Sequence, residues 1–349
     1  MKLGTVPENP LEWSVLRAGL VPTPLLDTII ALLLARTVMT STRLGVFEAL
    51  GAGPLSSEEL AASCEVHPAA LEKLLGALAG AGYLRFSRGS YRLAPVARKF
   101  LLRDAPQSLY DAVLMQFVDE RYIGQMEQFL RTGEPVQIHE QMSTEDWGYY
   151  QRGMRSGANL AVGELVRRVR LSSAARDLLD IGGSHGFYSV AFCRRYPNLR
   201  ARILDLPQAV EQATPLLARE GMGDRVVYQT GDALTADLGE DAYNVVLIAN
   251  LVHHFSDTQN RDLLRRVARA LRPGGLVIIG DMIRPESPGA TGQIGALTDL
   301  YFALTSESGT WSFAEMAEWQ RQAGLRPRRP IRLITGPGAG LQIAAKPAV

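Results

Sequence analysis

A repeated strand, turn and helix pattern after Arg176 is the feature that most constrains how this chain folds. Apolar runs occur in DLLDIGG, ARILDL, RVVYQTGD, NVVLIAN and LVIIGDM, and several are followed by helix-forming sequence. Short runs rich in Val, Ile and Leu that alternate with helices are typical of a parallel sheet covered on both faces. We therefore predict an α/β fold with a Rossmann-like, mostly parallel sheet. A last helix followed by RPIRLI and LQIAAK predicts an antiparallel edge.

The N-terminal part of the chain has a different pattern. Residues 11–50 carry apolar residues at three- and four-residue spacing, as helices do. Ser56 and Glu59 form a capping-box pattern, a further helix runs through ALEKLLGALAGAG, and YLRF, SRGS and YRL are typical of a hairpin. This order predicts a helical, winged-helix-like domain at residues 1–105. A helical linker at 106–172 and the Rossmann-like domain at 173–349 follow it.

Composition and charge disfavour several classes of protein. The chain has 37 Lys and Arg against 36 Asp and Glu, so no overall electrostatic field favours nucleic acid or anionic lipid. Because it has two cysteines and no clustered histidines, we expect no metal site and a reducing, cytoplasmic location. The most apolar stretch, Ile29–Ala35, is seven residues long, whereas a membrane span needs about twenty. We expect a soluble protein without a membrane partner, in which this stretch is a buried helix.

A winged helix can bind DNA, but the helix that would enter the groove disfavours this use. The segment ALEKLLGALAGAG carries one Lys, one Glu and no Arg. Phosphate contacts need several cations, and base recognition needs polar side chains. A DNA-binding regulator is therefore the less favoured alternative, and we expect no nucleic-acid partner. We predict instead that this domain, with the apolar helix before it, forms a homodimer.

The first strand of the repeated pattern ends in a glycine-rich turn, Asp180-Ile-Gly-Gly-Ser-His-Gly186. Gly182 and Gly183 allow positive φ and let a ligand approach the backbone, and Gly186 lets the next helix pack close to the strand. The spacing is D-x-G-G-x-x-G rather than the G-x-G-x-x-G of dinucleotide sites. Asp180 would repel a pyrophosphate, which disfavours a dehydrogenase, but it would attract a cationic or hydroxyl-bearing ligand. A tight turn without a ligand remains an alternative.

Three further carboxylates follow strands, at the ends where open parallel sheets bind ligands. Asp205 closes the second strand, where a carboxylate can accept hydrogen bonds from ribose hydroxyls. Asp232 follows the third strand, where an adenine amino group can be capped, and Asp281 closes the fifth. Together with the glycine-rich turn, these carboxylates predict a nucleoside-binding pocket.

Five segments carry a resemblance to a known family. LLDIGGSHG, ILDLPQAV, GDAL, NLVHHFSD and ALRPGG together resemble the class I S-adenosylmethionine-dependent methyltransferases. With the winged-helix-like domain, nearly the whole chain resembles the small-molecule O-methyltransferases of plant phenolic and bacterial natural-product pathways. The resemblance implies S-adenosylmethionine as cofactor, S-adenosylhomocysteine as product and an aromatic small-molecule acceptor in secondary metabolism. The cofactor-binding residues that it implies are Asp180, Gly182, Gly183, Gly186, Asp205, Leu206, Asp232, Ala233, Asn250 and Tyr150.

The resemblance also implies a general base, His253, in Asn250-Leu-Val-His-His-Phe-Ser-Asp257. A histidine suits this role because its ordinary pKa of about 6.5 lets it take a proton from a hydroxyl near neutral pH. Asp281 matches the first of the two acidic residues that orient the base in the family, and Trp311 occupies the place of the second. The resemblance implies that Met154 faces the substrate. We also expect the substrate to contact Phe117, His254, Tyr301, Phe302 and Trp311, because aromatic surfaces suit a flat acceptor.

The tryptophan at position 311 leaves the reaction type open. Losing one carboxylate removes part of what would stabilise an imidazolium at His253. The family also contains members that bind the cofactor without ordinary O-methylation, including hydroxylase-like and cyclisation catalysts. These reactions remain alternatives, as do C- and N-methylation, and the sequence does not name the acceptor.

Overall fold

A computed structural model describes residues 3–288 and 292–348 of the chain. The chain divides after Phe117 into two compact units. The boundary falls inside the helix Tyr110–Ile123. The domain limits at residues 105 and 172 come from sequence pattern alone and stay a prediction.

The first unit is helical and contains one small hairpin. Ser56 Oγ accepts a hydrogen bond from the backbone N–H of Glu59, and the Glu59 carboxylate accepts one from the N–H of Ser56 at 2.7 Å, which confirms the predicted capping box. The helices are α1 (Pro10–Arg17), α2 (Thr23–Leu25), α3 (Ala31–Arg43), α4 (Val46–Ala49), α5 (Ser57–Ser63), α6 (Pro68–Gly80) and α7 (Pro95–Phe100). A π-helical turn at Leu26–Ile30 joins α2 to α3, and the antiparallel hairpin consists of β1 (Leu84–Ser87) and β2 (Ser90–Leu93).

The apolar helix of the first unit is exposed. Its continuous span, Thr23–Arg43, has 21 residues and a mean hydropathy of 1.4, so by length and composition alone it could cross a membrane. Of the 18 most apolar consecutive residues in this span, 17% are buried. Ile30, Leu32 and Leu33 are each more than half exposed. The prediction of a buried helix is therefore wrong for a single copy of the chain. The physical reason is that an apolar run signals surface that needs covering, but does not say which molecule covers it.

The second unit is built on an eight-stranded sheet. Its strands are β3 (Asp177–Ile181), β4 (Arg200–Asp205), β5 (Val226–Thr230), β6 (Tyr243–Ala249), β7 (Leu271–Met282), β8 (Arg326–Pro327), β9 (Ile331–Arg332) and β10 (Ala339–Ala345). The order across the sheet is β5-β4-β3-β6-β7-β10-β8, with β9 also paired to β10. Strands β3 to β7 pair in parallel, and β10 pairs antiparallel with β7, β8 and β9. The predicted α/β fold with an antiparallel edge is confirmed.

Successive side chains of the central strand pack on opposite faces of the sheet. Leu178 of β3 lies in one apolar cluster with Phe192, whereas Leu179 lies in a second cluster with Leu263. The helices of the second unit, including one shared with the first, are α8 (Tyr110–Ile123), α9 (Met126–Thr132), α10 (Ile138–Gln141), α11 (Thr144–Gly157), α12 (Val162–Arg168), α13 (Phe187–Arg195), α14 (Pro207–Ala218), α15 (Asp257–Ala270), α16 (Gln293–Thr305) and α17 (Phe313–Gln322). Both faces of the sheet are thus buried, as the near-continuous apolar strands predict.

The strand order brings the carboxyl ends of the parallel strands to one edge. The chain moves outward from β3 to β5 and then returns to place β6 on the other side of β3. Asp180 of β3 is level with Ile203 of β4 and Leu247 of β6. Ligands bind in open α/β sheets where the strand order reverses in this way. The loops after these strands therefore build the candidate site.

Candidate active site

The loop between β3 and α13 approaches its neighbours more closely than side chains would allow. A Cβ on Gly182 would lie 2.7 Å from Leu251, and one on Gly183 would lie 2.5 Å from the carboxyl carbon of Asp180. Gly182 and Gly186 also have φ of +66° and +72°, a region that favours glycine. The packing of this turn therefore requires its glycines.

Asp180 lies beneath the glycine-rich turn and is completely buried. Its Oδ2 accepts a hydrogen bond from Ser189 Oγ at 2.7 Å, whereas its Oδ1 has no partner among the described residues. Burial raises the pKa of Asp180 to about 7; the Ser189 bond opposes this shift, and the charge of Asp205 adds to it. A buried acceptor without a partner is costly. Ionisation of Asp180 is therefore unfavourable, because a hydrogen bond stabilises only one of its two oxygens.

Asp205, at the end of β4, is held by two backbone groups. Its Oδ2 accepts the N–H of Ser184 at 2.7 Å, and its Oδ1 accepts the N–H of Leu206 at 2.8 Å. Burial raises the pKa of Asp205, and both backbone bonds oppose that shift. The Tyr228 hydroxyl donates to the carbonyl of Ser184. The backbone of Ser184 is therefore held by hydrogen bonds at both its N–H and its carbonyl. Each carboxylate oxygen accepts more than one hydrogen bond, so Asp205 can still bind hydroxyl groups.

A cavity at this edge of the sheet, here called the inner cavity, brings most of the predicted cofactor residues together. Asp232 lies on its wall, where its carboxylate also accepts the N–H of Leu234 at 2.8 Å. Asp180 and Gly186 lie behind the wall rather than on it. The predicted residues that line this cavity are Gly182, Gly183, Asp205, Leu206, Asp232, Ala233, Asn250, Tyr150, Met154 and His254.

His253 and Asp281 form a buried pair beside this cavity. His253 lies on a short 3-10 turn, Val252–His254, and its Nδ1 is 2.9 Å and 3.0 Å from the two carboxylate oxygens of Asp281. The backbone N–H of Met282 also donates to Asp281, at 2.7 Å. Because Nδ1 is engaged by a carboxylate, Nε2 is the nitrogen left to exchange a proton.

Trp311 supports the turn that carries His253. Its indole Nε1 donates to the backbone carbonyl of Val252 at 2.9 Å, and its ring meets Trp319 edge-on with centroids 4.9 Å apart. Trp311 is itself buried. Where the family resemblance implies a carboxylate, this chain therefore has a side chain that fixes the backbone just before the imidazole.

The other predicted substrate residues lie in different surroundings. Phe302 stacks face-on upon the His253 ring, with centroids 3.7 Å apart and planes 22° from parallel. The Tyr301 hydroxyl donates to the buried carboxylate of Asp119 at 2.8 Å, and burial and Asp119 raise the pKa of Tyr301. Phe117 belongs to the first unit, where the guanidinium of Arg43 lies 3.2 Å from its ring centroid. Its predicted contact with substrate stays a prediction.

Sequence reasoning missed His139, Trp147, Gln151 and His185, which also line the inner cavity. His139 stacks on Trp147, with centroids 5.3 Å apart, and meets His254 edge-on at 4.6 Å. Burial lowers the pKa of His139 to about 4, and His253 adds to this effect. No sequence motif contains His139, so only its position shortly before the aromatic segment DWGYY could have indicated it.

His185 belongs to the glycine-rich turn Asp180–Gly186, so the sequence could have indicated that it lies in the cavity. Its Nδ1 accepts the backbone N–H of Phe187 at 3.1 Å, so its proton lies on Nε2. Burial lowers the pKa of His185 to about 3, and Arg155 adds to this effect. The imidazole is thus a neutral hydrogen-bond donor on the cavity wall. Gln151 accepts a hydrogen bond from the Ser184 hydroxyl, which joins α11 to the turn.

Two family models match the chain. The model of the O-methyltransferase domain matches residues 124–326. The model of the O-methyltransferase dimerisation domain matches residues 26–103. The first match contains the entire lining of the inner cavity, and the second contains most of the exposed apolar helix.

Characterised relatives extend over most of the chain. The 3-hydroxy-5-methyl-1-naphthoate 3-O-methyltransferase of Streptomyces sahachiroi is 27% identical over 93% of this chain and 94% of its own. The L-tyrosine C(3)-methyltransferase of Streptomyces lavendulae is 31% identical over 87% of each chain. Human N-acetylserotonin methyltransferase, in a crystal structure with S-adenosylmethionine, superimposes with a TM-score of 0.82 at 18% identity. That comparison covers 98% of this chain and 100% of the human one, and shows a common fold.

The buried carboxyl of Asp180 predicts a dependence of stability on pH. Its pKa of about 7 in the folded protein lies above the ordinary value of 3.8 for an aspartate, so between these values the folded protein keeps a proton that the unfolded chain loses. Asp180 therefore destabilises the fold as the pH rises through this window, by up to about 1.4 kcal/mol per pH unit. Asp180→Asn keeps the shape of the side chain and removes its titration. In urea unfolding, the free energy of unfolding of the variant should therefore rise relative to that of the native protein as the pH increases from about 5 to 7.5. A stability difference that does not change with pH would contradict this expectation.

Proposed function

We propose that this chain, which belongs to the O-methyltransferase family, transfers a methyl group from S-adenosylmethionine to a hydroxyl oxygen of an aromatic or polyketide-like small molecule. The acceptor carries a phenolic or enolic hydroxyl, and the reaction belongs to cytoplasmic secondary metabolism. The observation that carries the proposal is the 2.9 Å contact between His253 Nδ1 and Asp281, which leaves one imidazole nitrogen to take a proton beside the inner cavity. The naphthoate O-methyltransferase relative supports an aromatic acceptor.

The residues of the inner cavity fit S-adenosylmethionine. This cofactor carries a cationic sulfonium, an ammonium group and a nucleoside, and when bound it supplies an activated methyl group. The carboxylates of Asp205 and Asp232 on the cavity wall offer negative charge and hydrogen-bond acceptors. Asp205 suits the ribose hydroxyls and Asp232 the adenine amino group. Gly182 and Gly183 line the same cavity.

His253 and Asp281 supply the proton transfer. Asp281 accepts a hydrogen bond from the Nδ1–H of His253, which leaves Nε2 as the basic nitrogen, and the carboxylate charge stabilises the imidazolium that forms. Such a base contributes about 10²–10⁴-fold to the rate. Holding the acceptor oxygen in line with the methyl group contributes most of the rest. S-adenosylhomocysteine is the product that remains.

Methylation of carbon is a second candidate. The relative that methylates tyrosine at C(3) is 31% identical to this chain. A phenol that has lost its proton is nucleophilic at a ring carbon as well as at oxygen, so the same base serves both reactions. The ¹³C chemical shift of a labelled methyl group in the product separates the two outcomes.

We also propose that a second copy of the chain covers the exposed helix Thr23–Arg43. The dimerisation-domain match includes residues 26–103. Leu32 and Leu33 on this helix are 63% and 56% exposed in a single copy. A two-fold symmetric dimer removes such a surface from water in both copies at once.

Asp205→Ala should weaken the binding of S-adenosylmethionine by about 1.5–3 kcal/mol for each charged hydrogen bond that is lost. Isothermal titration calorimetry measures this affinity directly. Asp224→Ala, which changes an exposed carboxylate in the turn before β5, is the matched control and should bind normally. Unchanged affinity in Asp205→Ala would remove Asp205 from the cofactor site.

His253→Ala should lower turnover by at least about a hundredfold and leave cofactor affinity nearly unchanged, because the base acts only in the proton-transfer step. Transfer of a radiolabelled methyl group to a phenolic acceptor measures turnover. His67→Ala, at an exposed histidine of the first unit, serves as the control. A loss below about fivefold would mean that the acceptor ionises without help or that the reaction is not O-methylation.

Leu33→Glu should convert the dimer to a monomer, because each copy of the chain would then bury an unpaired carboxylate in the interface. Light scattering at about ten micromolar protein reports the mass. Leu130→Glu introduces the same change at an exposed leucine of α9 and should leave the mass unaltered. A monomeric mass for the unmodified protein would refute the proposed dimer.

A further inference from the structure

A second cavity adjoins the inner cavity across a shared wall. This outer cavity has a volume of about 680 Å³. The polar residues of its lining include Gln137, Glu140, Gln208, Gln259 and Ser306. The residues that line both cavities are His139, Trp147, Leu206, His254 and Phe255. Apart from Leu206, each of them has an aromatic or imidazole ring.

His254 is held rigidly in this wall. Its Nδ1 lies 2.7 Å from Ser306 Oγ, near the end of α16. Its ring meets His139 edge-on at 4.6 Å and lies 4.1 Å from the ring of His253. Because Nδ1 is engaged, Nε2 is the nitrogen left for a ligand.

His253 is in a different position from its neighbour. It lines neither cavity, and Phe302 covers one face of its ring. A molecule that arrives from the outer cavity therefore meets His139 and His254 before it reaches the base.

Both wall imidazoles are neutral near pH 7. Burial lowers the pKa of His254 well below its ordinary value, and His253 and His139 add to this effect. Burial likewise lowers the pKa of His139 to about 4. A neutral imidazole has one N–H donor and one acceptor nitrogen, so it can bind a hydroxyl or a carbonyl oxygen. An acceptor without such an oxygen leaves a desolvated imidazole nitrogen unpaired, which costs affinity.

We infer that His254, supported by His139 and Ser306, is a specificity-determining residue that selects acceptors with a second oxygen beside the hydroxyl to be methylated. The inference rests on the proposed function. His253 takes the proton of the reacting hydroxyl, and His254 binds the neighbouring carbonyl or hydroxyl. The preferred substrates are therefore phenols or enols with an oxygen substituent on the adjacent position.

Two probes of nearly equal shape test this selection. 2-Acetyl-1-naphthol carries a carbonyl next to its hydroxyl, whereas 2-ethyl-1-naphthol has a methylene group in its place. Calorimetry on the protein loaded with S-adenosylhomocysteine should show the acetyl compound binding at least about fivefold more tightly, the value of one hydrogen bond of average strength. His254→Phe should reduce this preference to less than about twofold by removing the hydrogen bond.

Three further variants separate selection from general damage. Phe255→Leu changes an apolar residue of the same wall and should keep the preference. Ser306→Ala removes the hydrogen bond that orients the His254 ring and should reduce the preference for the acetyl compound in part. His254→Gln retains a donor and an acceptor, so it should keep more of this preference than His254→Phe does. Each variant is first checked for normal affinity for S-adenosylhomocysteine.

The outcomes are distinct from those that test the proposed function. Failure of the unmodified protein to bind S-adenosylhomocysteine would contradict the proposed function itself. Normal binding of that product with equal affinity for both naphthols, or with no binding of either at millimolar concentration, would overturn the selection alone. A preference that persists in His254→Phe would also overturn it.

Discussion

The hydrogen bond from the Ser184 N–H to Asp205 is the interaction on which the candidate site depends. It joins the turn after β3 to the end of β4, so the parallel register of the two strands sets the shape of the inner cavity. The bond can form only because the turn lies very close to β4. A Cβ on Gly186 would lie 2.7 Å from Ile203, which shows how little space separates the two elements. The geometry of the site is thus a consequence of sheet packing.

The same closeness gives the site its electrostatic character. Asp180 is buried and Asp205 is half-buried, and the charge of Asp205 disfavours ionisation of Asp180. Two carboxyl groups in such a place are unfavourable without a compensating cation. A sulfonium or an ammonium group would supply that cation, which explains why acidic residues can lie next to a glycine-rich turn here and would not suit a pyrophosphate.

Local signals in the sequence predicted the features that local interactions create. The alternating strands, the glycine-rich turn and the Ser56–Glu59 capping box follow from neighbouring residues, and the structure contains all three. Contacts between distant residues were not predictable in this way. Trp311 and Val252, which form a hydrogen bond, are 59 residues apart in the sequence. The rings of His139 and His254 are likewise brought into contact only by folding. The prediction that the apolar helix is buried failed for a related reason, since its apolar residues do not identify the surface that covers them.

The three adjacent imidazoles have a consequence for the order of events in a catalytic cycle. His253 and His254 have ring centroids 4.1 Å apart, and His254 and His139 are 4.6 Å apart. Like charges at such distances in a buried place repel, so a positive charge at His253 disfavours a second one on His254 or His139. In the proposed reaction, a proton taken up by His253 must leave before the next acceptor can be deprotonated. Escape of that proton to solvent then becomes a separate step, which can limit the speed of an enzyme whose methyl transfer is fast.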